Sequence, residues 1–181
     1  PRMAEYTDGI ERINIELSLH NKIRLCDELE SFFARGNLPL GKKDESGEVA
    51  SADLLAGRVA QAVALVREVR GLWSGWLQEV DRLFAQLQDH SLRASWKAQL
   101  RAPLQAIFSG DAFKPIVDEC SAIHKRVLKG RVWAALHMHA GDGNVHTNLP
   151  VNSDDYEMLQ TAREAVARIL LLARSLDVAI S

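Results

Sequence analysis

Residues 131 to 149 read Arg-Val-Trp-Ala-Ala-Leu-His-Met-His-Ala-Gly-Asp-Gly-Asn-Val-His-Thr-Asn-Leu. Val132, Ala134, Leu136 and Met138 alternate with Trp133, Ala135, His137 and His139, the two-residue period of a half-buried strand. Ala-Gly-Asp-Gly-Asn is turn chemistry, and Val145, Thr147 and Leu149 resume the alternation up to Pro150. This is a β-hairpin with a glycine loop. After it, Ser153 is a candidate N-cap, and Leu159, Ala162, Val166, Ile169, Ala173 and Leu176 mark one face of a helix. Val178-Ala179-Ile180-Ser181 has the composition of a strand beginning.

Upstream, Ile13, Ile15, Leu17 and Leu19 alternate with Asn14, Glu16 and Ser18, which predicts a strand over 10–19. Ile23, Cys26, Leu29 and Phe33 then recur at steps of three and four and predict a helix over about 21–35, ending near Gly36. Residues 36–52 hold Pro39 and three glycines among charges, the composition of a connection. From Leu55 to Leu87, ten apolar positions keep alternating steps of four and three: 55, 59, 62, 66, 69, 73, 76, 80, 83 and 87. One helix of about 50 Å is expected, packed lengthwise on a helical partner. Partners are available in the stripes Leu92, Trp96, Leu100, Leu104, Phe108 and Phe113, Ile116, Cys120, Ile123, Val127, with breaks at Pro103 and Ser109-Gly110.

With the helical part set aside, the order is strand, helix, strand, strand, helix, strand, a ferredoxin-like split βαβ. The expected class is α+β, with a large inserted helical hairpin or bundle and a last strand cut short. The expected parts are 1–40 (first strand and helix), 41–130 (helical insert) and 131–181 (histidine hairpin, helix and start of the last strand). The start at Pro1 and the stop at Ser181 read as the limits of a fragment.

Composition narrows the function. The chain is 47% hydrophobic and 25% charged, with 22 basic and 24 acidic side chains and a net charge of -2. No sequence-wide field draws it to nucleic acid. No apolar run is longer than that from Ile169 to Ala173, which falls far short of the roughly 20 residues of a membrane span. Cys26 and Cys120 both lie on apolar helix faces and read as buried thiols rather than a disulfide. No leader pattern opens the chain, and a cytoplasmic setting is expected, with a peripheral place at the inner membrane left open for a longer parent. Trp73 and Trp76 read as packing residues of the seam.

Chemistry concentrates in the hairpin, where His137, His139, Asp142 and His146 fall within ten residues. Imidazoles suit zinc, manganese or iron, and two arms of a hairpin can bring His139 and His146 together. The same histidines can equally be hydrogen-bonding members of a polar loop, and Asp142 between two glycines reads as a turn residue. His137 reads as solvated or hydrogen-bonded. The loop is not a phosphate cradle, since no lysine follows it and no helix starts there.

The string His-Ala-Gly-Asp-Gly-Asn-Val-His at 139–146 resembles the signature of the FAD-linked oxidase C-terminal domain, found in D-lactate dehydrogenases, the glycolate oxidase flavin subunit and D-2-hydroxyglutarate dehydrogenases. The segment from Tyr6 to Ser18 is similar to a bacterial branch of these flavoproteins. The resemblance implies a ferredoxin-like cap over a separate FAD-binding domain. It implies His139 and His146 as ligands of a divalent metal (Zn, Mn or Fe), with Asn144 and Gly143 beside flavin and substrate. The substrate implied is a D-2-hydroxy acid of the D-lactate, glycolate or 2-hydroxyglutarate type, and the electron acceptor is open. The family's Gly-Glu-His-Gly segment, which carries a further ligand and the catalytic histidine, is expected beyond Ser181, so the fragment alone is expected to be inactive. The insert of about 90 residues departs from the family's short loop, and position 138 is Met where the family commonly has Gly. Two other readings stay open: a metal-dependent hydrolase built on the His139–His146 loop, and an assembly module that self-associates through its helical seam.

Overall fold

The computed structural model describes residues 2–41, 52–139 and 144–179, positions 139 and 144 by their backbone alone. The elements are α1 (Arg2–Phe33), α2 (Ala52–Gln78), α3 (Val80–Gln88), a π-helix (Trp96–Arg101), α4 (Ala102–Ile107), a 3-10 turn (Asp111–Phe113), α5 (Lys114–Lys129), β1 (Ala135–His139), β2 (Asn144–Asn148) and α6 (Tyr156–Ser175). The class is α+β, mostly helix with one two-stranded antiparallel sheet. No described helix is long and apolar enough to cross a membrane.

The strand expected over 10–19 is helix, continuous with the helix expected after it. Tyr6, Ile10 and Ile13 are buried at helical spacing, with Leu17 partly buried beyond them, whereas Ile15 is only half-buried. A strand through the same residues would leave Tyr6 and Ile10 outside its pattern; a helix buries them with Ile13 on one face. Of the expected closing strand, Val178 and Ala179 have no regular structure, and Ile180 and Ser181 lie outside the described residues.

Two compact units divide the chain. The first comprises residues 1–20, 79–92 and 130–181. Its core joins Tyr6, Ile10 and Ile13 of α1 to Ala134 and to Ile169 and Ala173 of α6, with Leu136, Val145 and Leu149 packed against it. Gly9 brings α1 close to α6: a Cβ there would lie 2.5 Å from Leu172 Cδ2. Glu16 forms ion pairs with Arg12 and Arg168. The cap of α6 is Asp155 rather than Ser153, its carboxylate accepting the Met158 N–H at 3.0 Å. The buried line of α6 accordingly runs through Met158, Ala162, Ala165, Ile169 and Ala173, leaving Val166 exposed.

The second unit comprises residues 21–78 and 93–129. The seam expected as one helix is split at Glu79, whose φ of -110° and ψ of 23° leave the helical region. Ala62, Val66, Val69 and Trp73 of α2 are buried, as are all five residues of the stripe from Phe113 to Val127 and four of the five of the stripe from Leu92 to Phe108, Leu92 being half-buried. The rings of Phe33 and Phe108 stack with centroids 5.8 Å apart. Trp73 is fully buried and its indole N–H donates to Gln99 Oε1, which also accepts the Ser95 N–H at the start of the π-helix. The single polar group of the indole is thereby satisfied, as packing of a buried tryptophan requires. Trp76 is half-buried. The break expected at Pro103 is not seen: Pro103 lies in the first turn of α4, into which the π-helix continues with helical backbone at Arg101 and Ala102, whereas Gly110 takes a φ of 101° between α4 and the 3-10 turn and marks the second break.

Candidate functional site

The densest chemical cluster lies on the hairpin of the first unit. β1 and β2 pair antiparallel with Ala135 opposite Asn148, Leu136 opposite Thr147, His137 opposite His146, Met138 opposite Val145, and His139 opposite Asn144. Residues directly opposite in such a pair share a face, and the pleat alternates that face along each strand. Leu136, Met138, Val145 and Thr147 therefore form one face, and Leu136 and Val145 meet the core of α1 and α6. Positions 135, 137, 139, 144, 146 and 148 form the other, on the side away from that core.

Two contacts from α1 hold the hairpin in this orientation. Asn14 Nδ2 donates to the Ala134 carbonyl at 2.9 Å, while its Oδ1 accepts the Ala134 N–H at 2.7 Å. A single carboxamide thus satisfies both backbone groups of the buried residue that precedes β1. Tyr6, itself buried, places its hydroxyl 2.8 Å from Thr147 Oγ1. The alternation of residues 10–19 gave no sign of Asn14 in this role, because it reads there as the polar side of a strand.

On the outer face His137 is exposed and His146 half-buried, and Trp133, just before β1 and of the same parity, is 41% exposed. The register makes His137, and not His139, the direct cross-strand neighbour of His146. Of the residues singled out from sequence, Asp142 and Gly143 lie outside the described residues, as do the side chains of His139 and Asn144. Among the described residues no three His, Cys, Asp or Glu side chains converge as a metal-binding group.

Among the described residues, three other reactive groups, Cys26, Cys120 and His124, are committed to structure. The thiols of Cys26 and Cys120 are free and buried, and burial pushes each up to about 12, which keeps both protonated. His124 stacks on Trp96 with ring centroids 4.6 Å apart, and burial, with Lys22 nearby, holds its imidazole below the ordinary value. In the second unit a cleft is lined by Asp53, Gly57, Arg58, Gln61, Ala106 and Ser109. Its arginine is already engaged, over the Phe113 ring at 4.5 Å and donating to the Ser109 carbonyl at 2.9 Å.

No family model, curated protein or solved structure matches this chain.

Proposed function

We propose that this chain is the substrate-side part of a flavin-dependent oxidoreductase that oxidises a D-2-hydroxy acid of the D-lactate, glycolate or 2-hydroxyglutarate type. The reading rests on the resemblance of residues 139–146 to the FAD-linked oxidase C-terminal domain. The observation that carries it furthest is the hairpin register, which puts positions 139, 144 and 146 on one face, turned from the core of α1 and α6. In this reading α1, β1, β2 and α6 would fill the helix, hairpin and helix of the family's ferredoxin-like order.

The donor types on that face suit the metal implied. Imidazole nitrogens bind zinc, manganese or iron, and the outer face leaves coordination positions open to a substrate. His139 and His146 would hold the ion, and Asn144 and Gly143 would border flavin and substrate. Bound there, the ion supplies Lewis acidity to the hydroxyl and carboxylate of the hydroxy acid, and the flavin supplies the hydride acceptor. The chain's own residues would orient the acid through the ion that His139 and His146 hold, with Asn144 near flavin and substrate as the resemblance implies. The flavin is held by a separate domain in this reading, so residues 1–181 alone are inactive.

The full-length gene product containing these residues tests the reading through its visible spectrum, recorded before and after anaerobic addition of D-lactate, glycolate and D-2-hydroxyglutarate. A flavin spectrum bleached by one of them is expected and names the substrate class. A purified product that holds no flavin and takes none up overturns it.

A further inference from the structure

We propose that His137 is a metal ligand, acting across the hairpin with His146. His137 lies outside the octapeptide whose resemblance assigns His139 and His146, so the assignment comes from the register alone, and it rests on the preceding reading only through His146. The two residues are direct partners in the antiparallel ladder. Side chains in such a pair leave the sheet on the same side with their Cβ atoms about 4.5–5.5 Å apart. Two imidazoles starting from that separation reach a common ion at the usual zinc–nitrogen distance of about 2.0–2.1 Å without moving the backbone.

The scaffold is also pre-set for this pair. Leu136 and Val145, the strand neighbours of His137 and His146, are packed on the α1–α6 core. Thr147, next to His146, is bonded to Tyr6, and Ala134 is clamped by Asn14 just before β1. Ligands carried on strands whose opposite face is fixed need little ordering when the ion arrives. His137 is exposed, so an ion bound there keeps positions for water or for a carboxylate from solution.

Zinc chloride titrated into the 181-residue chain by isothermal calorimetry, with cobalt(II) absorption as a spectroscopic check, tests the proposal. His137→Ala should weaken zinc by at least the roughly 10- to 100-fold that loss of even an outer-shell partner causes, and should change the cobalt bands. His137→Thr, a strand former without an imidazole, should behave the same while amide-exchange protection of β1 and β2 matches the parent, which separates ligand loss from loss of the hairpin. Zinc affinity unchanged in both variants overturns the proposal. His139→Ala reads the other assignment independently: weakening there with none at His137 leaves the octapeptide pair standing without His137. Weakening by His137→Ala and by His146→Ala with none by His139→Ala supports the proposal and removes His139 from the ligand set. A parent chain that binds no zinc overturns the role of His137, and the flavin spectrum then decides the functional reading by itself.

Discussion

Replacing Asn14 by alanine should loosen the start of β1 more than any other single polar deletion in the first unit. The side chain makes two hydrogen bonds to one residue, at 2.9 Å and 2.7 Å, and Ala134 is only 3% exposed. Each bond contributes about 1 kcal/mol net, and a buried backbone group left unpaired costs about 1–3 kcal/mol. Partial rescue by water at one of the two groups brings the expected loss to about 2–4 kcal/mol, a large share of the total stability of an ordinary domain. Asn14→Asp should do no better, since it keeps an acceptor for the Ala134 N–H but turns a second oxygen toward the Ala134 carbonyl. The assay is amide hydrogen exchange by mass spectrometry over residues 132–139, with urea unfolding followed by circular dichroism. Protection of β1 should fall with the global midpoint. A loss below about 0.5 kcal/mol, the ordinary range of a surface substitution, with β1 protection unchanged would refute the clamp.

Two glycines should respond with opposite signs. Gly9→Val drives new carbon into Leu172, whose Cγ lies 3.2 Å from the site of a Cβ, and should destabilise by about 1–3 kcal/mol; Gly71→Ala meets nothing within 4 Å in the interior of α2 and should stabilise by roughly 0.8–1.0 kcal/mol. Urea midpoints moving the same way in both would contradict the α1–α6 approach. The buried thiols predict a pH dependence. Folding raises Cys26 and Cys120 from the ordinary 9.0 to about 12, so their contribution is whole below pH 9 and is lost as pH climbs toward 12, where the unfolded chain ionises and the folded one does not. The double variant Cys26→Ala, Cys120→Ala should show a shallower fall in stability over that window, and equal slopes would count against burial as the cause.

The hairpin was legible because three signals agree there: alternation on both arms, turn residues between them, and parity that sends Val132 and Ala134 inward. The helical stripes were legible for the same reason, since spacing at three and four over long windows leaves little room for another element. Residues 10–19 misled because they satisfy two periods at once. The choice between them is made by Tyr6, upstream of that window, by Ile10 at its edge, and by Glu16, which finds Arg168 on α6. The split between α2 and α3 carries no proline or glycine, and the seam spacing continues across it, so nothing local announces it. The cap of α6 was displaced by two residues because Ser153 and Asp155 are both capping types and only the Met158 contact distinguishes them. Parity put His137, His139 and His146 within reach of one another, but which histidine faces His146 depends on register across the four residues between β1 and β2, a count that composition does not weigh.

The two-residue period of the hairpin has a further consequence for folding fidelity. A slip of one residue by either strand would turn its histidines toward the α1–α6 core and bring out the aliphatic side chains that now face it. Imidazoles in that core would meet apolar neighbours such as Ile10 and Ile169, a costly exchange. The carboxamide of Asn14 and the hydroxyl of Tyr6 therefore serve as a reading frame: each recognises one residue of one strand, Ala134 or Thr147, and a frameshifted ladder would satisfy at most one of them. Chemistry on the open face is thus proofread from the closed one.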